Sequence, residues 1–407
     1  MSALRVRAYN VRFGDALLVS VPDTDPQSGV ETTRHILIDV GNSLATQGGI
    51  NAVFKPVVED IVAVLAGAPL DLYVMTHEHL DHVEGLAHAN KAWYGGGLKA
   101  LLKTRFSWLT GSAEPTYYDA DKHPEARTKK KLAEDVLSRA RASVGDLPIE
   151  LRDLLRIHGP LAALGLSTND CVGYLRALAE KTVYVHRELD LQGAHPFKEA
   201  RLKILAPEED TADYYQPLRP MVEIERPAAG QAAVGPPRAN PPAGVDAESF
   251  YNLIELRGLA RHENLLSIDK AANNTSVVFT LEWRGWKLLF SGDAELRSWA
   301  TMARNNDLSP VHFLKVSHHG SHNGTPPDEI LAAILPLVGT DNRGRVALAS
   351  TYPGTYGGIP HGPTDSRLAA RAVLAKTLRE PREPEALAVD IEFSEEGGTP
   401  TIRYIET

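Results

Sequence analysis

Apolar positions along this chain change their spacing several times, and each change marks an element. Near the start, LRVRAYNV alternates apolar and polar residues. DALLVSVP is an apolar run closed by proline, and HILIDVGN (His35 to Asn42) is another that ends in an acid and a glycine. Alternation and short apolar runs bounded by turn residues are strand signals. A helix is expected from Val53 to Leu65, and Leu72 to Met75 reads as a short buried strand running straight into THEHLDH. From about Gly95 to Lys198 the apolar residues recur at three and four positions, in EARTKKKLAEDVLSRARASV, LPIELRDLLRIHG and DCVGYLRALAEKT. That spacing belongs to helices. Residues 95–200 are therefore expected to form a helical insertion or cap between a first half, 1–94, and a second half, 201–407.

The strand signal returns in RLKILAPEE (Arg201 to Glu209). Arg226 to Ser249 is rich in proline, alanine and glycine and has almost nothing to bury, so it reads as a flexible loop. NNTSVVFTLEWRGWKLLFSGDAE (Asn273 to Glu295) carries two alternating runs around Arg284-Gly285 and reads as a hairpin. A helix is expected from Ala294 to about Arg304, and a strand from Val311 to Val316 that ends in SHHGSH. A helix over Pro327 to Leu337, a strand over Arg345 to Ser350, a helix over Thr364 to Leu378 and two terminal strands complete the pattern. Strands and helices alternate in both halves, so the expected class is α/β or α+β.

Composition narrows the picture. Apolar content of 43% and charged content of 23% belong to a folded globular chain. The net charge of −9 argues against a surface that grips nucleic acid all over, so any such contact has to be local. Lys99, Lys103, Arg105, Lys122, Arg127 and Lys129 to Lys131 follow the first histidine cluster and could supply one; the alternative for the lysine run is a solvated helix face. The single cysteine, Cys171, excludes an internal disulfide framework and a CxxC zinc site. No signal-peptide core opens the sequence and no apolar run reaches the ~18–20 residues of a membrane helix. A cytoplasmic protein without membrane contact is the expectation.

The candidate chemistry sits just after predicted strands. Asp39 follows one, His77, His79, Asp81 and His82 follow the next, and Asp293 and the pair His318 and His319 follow two later ones. Four such strand ends can converge at one sheet edge. His77 and His79 are two residues apart, so both can face one ion, while Asp81 and His82 can face a second. Asp293, from a distant strand, can bridge the two. Imidazoles with carboxylates suit zinc or manganese, and a pair of ions ~3.5–4 Å apart activates a bridging water as hydroxide at neutral pH. Glu78 lies between two histidines and should point away; Glu84 is placed to orient a histidine from behind.

THEHLDH resembles the H-x-H-x-D-H signature of the metallo-β-lactamase superfamily, an αββα sandwich with two metals at one edge. NVRFGDALLV with ILIDVGN, LKILAP, NNTSVVFTLEWRGWKLLFSGDAE, LKVSHHGS and YGGIPHGP resemble, in order, the blocks of the soluble hydrolase domain of ComEC-type competence proteins. The likeness covers roughly residues 5–95 and 200–405 and leaves the insertion outside. It implies that His77 and His79 hold a first metal, Asp81 and His82 a second, and that Asp293 bridges them. One histidine of SHHGS would complete the second site, His318 by its place nearest the strand end or else His319. Asp39 would fix the histidine loop from behind. His361 would stand at the rim against the substrate, with an ordinary loop histidine as the alternative. NNTS stands where many superfamily hydrolases supply a further histidine, which leaves the first metal short of a protein ligand unless Asn274 or Thr275 approaches it.

The expected function is a dinuclear metal-dependent hydrolase, a phosphodiesterase or nuclease with Asp81, Asp293 and His361 in catalysis and Lys315 either at the core edge or on a phosphate. A carbonyl hydrolase of lactones, thioesters or β-lactams is the alternative. So is an effector module triggered by a protein partner in a multi-protein defence or stress system, docked through the insertion or the proline-rich loop.

Overall fold

Alternation sends every second side chain of a strand to each face, and here both faces of two sheets are buried. The computed structural model describes residues 3–25, 27–42, 51–142, 144–147, 149–159, 166–219, 247–337, 341–352, 360–378 and 385–406. The first sheet starts from the antiparallel β1 (Ala3–Tyr9), β2 (Leu17–Thr24) and β3 (Glu31–Ile38). Parallel β4 (Leu72–Met75), β5 (Phe106–Thr110) and β6 (Lys181–Val185) extend it on one side. β13 (Ala388–Ser394) pairs with β1 on the other side, and β14 (Thr401–Ile405) forms that edge. The second sheet runs β12 (Val373–Lys376), β11 (Val346–Ala349), β10 (Phe313–Lys315), β9 (Trp286–Phe290), β8 (Val278–Trp283), β7 (Arg201–Ala206).

The two sheets pack face to face. Val6, Val19, Ile36, Val74 and Trp108 from the first meet Ile204, Phe279, Phe290, Phe313 and Leu348 from the second in one core. Each such side chain contributes ~1.5–3 kcal/mol by leaving water. The opposite faces are covered by helices. Leu18, Leu37, Tyr73 and Met75 lie under α1 (Phe54–Leu65), α2 (Leu80–Ala92), α3 (Leu98–Leu102) and α6 (Thr168–Arg176). Val278, Leu289, Leu314 and Ala347 lie under α8 (Leu296–Arg304), α9 (Asp328–Ile334) and α10 (Gly362–Ala369). The layers are therefore helix, sheet, sheet, helix, the expected αββα sandwich. A separate apolar cluster joins α4 (Pro124–Ala142), α5 (Ile149–Ile157) and α7 (Ala247–Asn274). No helix among the described residues is long and apolar enough to cross a membrane.

Three expectations need correction. Residues 95–200 are not wholly a helical insertion. α4, α5 and α6 are there, but FSWLT and KTVYV form β5 and β6 and carry the first sheet outward. These are five-residue aromatic and β-branched runs hidden among longer helical patterns. The helix from Thr364 ends at Ala369, and Val373–Lys376 instead pairs in parallel with β11. The hairpin begins at Val278, because Asn273 and Asn274 end the long helix α7, which the apolar pattern does not announce. Asn264, Asp269 and Asn273 are buried on that helix, so its inner face is partly polar. Of the segment read as a flexible loop, 226–246 lie outside the described residues, and Ala247 to Ser249 begin α7.

Candidate metal centre

The centre forms where the loops after β3, β4, β9 and β10 meet. Two glycines let them come close. Gly14 has φ +147°, and a Cβ there would lie 2.1 Å from the Gly41 carbonyl oxygen and 2.7 Å from that of Asp81. A Cβ on Gly41 would lie 2.2 Å from the Asp81 carbonyl carbon. The backbone then ties the loops together: the Asp15 amide donates to the Asp81 carbonyl (3.1 Å), and the Val40 amide to the His82 carbonyl (2.9 Å).

β4 ends at Met75, and His79 caps the N-terminus of α2 in an extended conformation. Asp81 and His82 fall in the first turn of that helix, where its dipole favours the carboxylate. Asp39 stands behind them with φ +50°. It accepts hydrogen bonds from the Thr76 amide (2.8 Å) and hydroxyl (2.6 Å) and from His82 Nδ1 (2.8 Å). With Nδ1–H given to Asp39, the lone pair of His82 Nε2 faces inward, the usual arrangement of a carboxylate behind a metal-binding histidine. Asp39 thus fixes the histidine loop as expected.

Asp293 reaches the same place from the end of β9, and its amide is held by the Ser276 hydroxyl (3.1 Å). His318 and His319 both adopt left-handed backbone, φ +48° and +54°. That is costly for side chains other than glycine and is found at functional sites. The turn sends the two rings apart. His319 Nδ1 donates to the Ser350 carbonyl (2.9 Å), leaving Nε2 3.4 Å from Asp293 and 3.5 Å from Asp81. His318 instead places Nδ1 3.3 Å from Glu295. Burial opposes its charge, but Glu295 and Asp293 push His318 up to about 9. Of the two, His319 and not the nearer-to-strand His318 gathers with Asp81, His82 and Asp293.

The donor set fits a divalent cation. His82 Nε2 lies 3.3 Å from Asp293 and 3.9 Å from Asp81, and all four ligand atoms of Asp81, His82, Asp293 and His319 lie within 4.8 Å of one another. Bonds of about 2.1 Å in a tetrahedron put neighbouring ligands about 3.4 Å apart, close to these spacings. His82 Nε2, His319 Nε2, Asp81 Oδ1 and Asp293 Oδ1 are buried with no hydrogen-bond partner, as are the Nε2 atoms of His77 and His79. Buried polar atoms are ordinarily satisfied, and a divalent ion is a group that would satisfy this set. Burial holds His77 and His79 well below the ordinary histidine range, which keeps them neutral and able to donate a lone pair. The His77 ring lies 4.2 Å from that of His82 and 4.6 Å from that of His79.

The remaining expectations divide. Glu78 is part-exposed, 4.0 Å from Lys130, and Glu78 faces away as expected. Glu84 does not orient a site histidine. It accepts from Asn51 (3.3 Å), and burial pushes it up to about 7. Lys315 is buried and ion-paired to Asp15, with Asp293 at 3.8 Å, so it steadies the carboxylates and is closed to a substrate phosphate. Asn274 caps α8, accepting from the Ser298 amide (3.0 Å) and hydroxyl (2.8 Å), and Thr275 donates to the Ala272 carbonyl (2.7 Å). Neither is free to serve a first metal. His361 caps α10; its amide donates to Gly320 (3.1 Å) and its Nδ1 meets Thr364 Oγ1 (3.0 Å), which puts it beside the loop that follows His319. The tyrosine and glycines before it, 356–358, lie outside the described residues. Arg105 pairs with Asp71 (3.3 Å) at the start of parallel β4 and β5, the end away from the histidines, whereas Lys130 approaches Glu78 beside them.

Two residues went unnoticed in the sequence. His158, just after α5, and Asp269, on α7, gather with His79 in a second compact group. Neither sits after a strand, so the pattern that exposed the other ligands passes over both. No model of a known protein family matches the chain, and no curated protein is detectably similar to it.

Proposed function

We propose that this chain is a divalent-metal-dependent hydrolase whose preferred bond is a phosphodiester, in nucleic acid or in a smaller nucleotide ester. The observation that carries the metal reading is the compact buried group of Asp81, His82, Asp293 and His319, with ligand atoms within 4.8 Å of one another and both imidazole Nε2 atoms unpartnered. Mixed imidazole and carboxylate donors suit zinc or manganese. Bound divalent ions there supply Lewis acidity and a water activated at neutral pH. The chain's own part is to hold the donors in fixed tautomers, through Asp39 on His82 and Ser350 on His319. His361 stands at the rim to meet the substrate's developing charge.

The choice of phosphorus over carbonyl rests on the resemblance of GDALLV, FSGDAE and SHHGS to ComEC-type hydrolase domains. Metal content and hydrolysis are measured together, with zinc and with manganese, on single-stranded DNA, duplex DNA, RNA, a generic phosphodiester and a lactone. Cleavage of a phosphodiester that Asp293→Ala abolishes is the expected result. Lactone hydrolysis alone moves the assignment to carbonyl chemistry, and a metal-free protein inactive on all five ends the enzymatic reading.

A further inference from the structure

We propose that His79, His158 and Asp269 hold the other divalent cation of this centre, the one expected at His77 and His79, with the insertion supplying His158. The inference rests on the metal-centre reading above and extends it to two residues that the resemblance does not supply, His158 of the insertion and Asp269 of α7. Asn274 and Thr275 of NNTS are engaged with α8 and with α7 and offer no ligand. The donors found near His79 come from elsewhere. His158 Nε2 lies 3.6 Å from Asp269 Oδ1, and His79 Nε2 lies 4.0 Å from the same oxygen. Both separations exceed hydrogen-bond reach. The two rings meet edge to face at 4.5 Å. Both Nε2 atoms are buried without a hydrogen-bond partner, on side chains 4% and 9% exposed. An ion among the three atoms needs shifts of only a few tenths of an ångström to reach bonds of about 2.0–2.2 Å.

The group is held from behind, as metal ligands are. Asp269 Oδ2 accepts from Asn273 Nδ2 (3.3 Å). The His158 carbonyl accepts from Arg141 Nη2 (2.9 Å) and Thr168 Oγ1 (3.2 Å), which anchors the turn that presents the ring. The unpartnered Nε2 of His77 lies on the neighbouring side, its ring 4.6 Å from that of His79. An ion here ties the end of α5 to the start of α2 and to α7. Metal loading and closure of the insertion over the centre are then one event. A purely structural role is the competing account, with Asp269 packed between His158 and His318; it predicts no effect on metal content.

Native mass spectrometry and metal analysis after dialysis against zinc or manganese decide between them. Wild type is expected to hold two ions. His158→Gln and Asp269→Asn should each hold one, or bind the second at least tenfold more weakly, while His319→Gln loses the other. Two ions held with unchanged affinity in both variants overturns the inference. Wild type holding a single ion that His158→Gln does not affect also overturns it and leaves the first site standing. Wild type holding none removes the metal-centre reading altogether. Circular dichroism and melting of the metal-free proteins control for folding. Should a variant not fold, hydrogen exchange on wild type decides: the second equivalent of metal should slow exchange of the Ile149–Ile157 amides, and unchanged exchange counts against the site.

Discussion

His318 and His319 are neighbours that the backbone sends to different partners. Both are left-handed, and only His319 presents a free Nε2 to Asp81 and Asp293. His319→Gln is expected to remove the ion from that site and reduce turnover by at least 10²-fold, while His318→Gln keeps it; metal analysis of the two side by side reads this. Asp39→Asn leaves every ligand in place but weakens the hold on His82 Nδ1. Metal affinity should fall about 10–100-fold, the usual cost of losing a supporting carboxylate, measured by competition with a chromophoric chelator. Sequence spacing found His77, His79, Asp81, His82 and Asp293 because each follows a strand. It left His318 and His319 as alternatives because a double left-handed turn has no signature in residue types other than glycine, and it placed Glu84 behind a histidine because helix geometry alone does not reveal its bond to Asn51.

At the scale of elements, the centre depends on loops that touch through backbone. Gly14→Ala puts a methyl group against the Gly41 and Asp81 carbonyls at a positive φ. It should cost about 3 kcal/mol or more, seen as a lower urea midpoint. β3 carries a pH response of its own. Burial lowers the pKa of His35, whose Nδ1 lies 3.2 Å from the Ser20 hydroxyl. The folded state therefore keeps His35 neutral where the unfolded chain takes up a proton, below about pH 6.5. Its contribution is fully present above that pH and is lost on acidification. In the metal-free protein, the stability difference between pH 7.5 and 5.5 should shrink in His35→Gln, measured by urea unfolding at each pH. Strands with clean alternation were legible, as was the helical spacing of α4 to α6. β5, β6 and β12 were not, since a four- or five-residue strand next to helices carries too few positions to set a period. α7 was missed because the face it buries includes Asn264, Asp269 and Asn273.

Over the whole molecule, the proposed ligands are divided between the two sheets. Asp81 and His82 follow a strand of the first, and Asp293 and His319 follow strands of the second. An ion bound to all four clamps the sandwich at one edge. Chelation should lower the melting temperature by several degrees, since a ligand seen only by the folded state stabilises by RT ln(1 + [L]/Kd), ~2.7 kcal/mol at a hundredfold excess over Kd. Scanning calorimetry with and without chelator measures it. The net charge of −9 bears on the substrate. Binding of a polynucleotide through several phosphates should weaken steeply between 50 and 200 mM salt; a near-flat response in a fluorescence-anisotropy titration favours a mononucleotide ester. The αββα layering could be anticipated from the alternation of elements and the THEHLDH resemblance. The way the insertion folds back to the centre could not, because it depends on contacts among α4, α5 and α7, far apart in the chain.

The division of the ligands between sheets also has a consequence in time. A ribosome extends a chain at about 5–20 residues per second, and some 240 residues separate His82 from His319. For roughly 10–50 s the nascent chain carries Asp81 and His82 without the Asp293 and His319 that complete their group. A centre built on all four ligands cannot assemble until His319, some 240 residues after His82, has been translated.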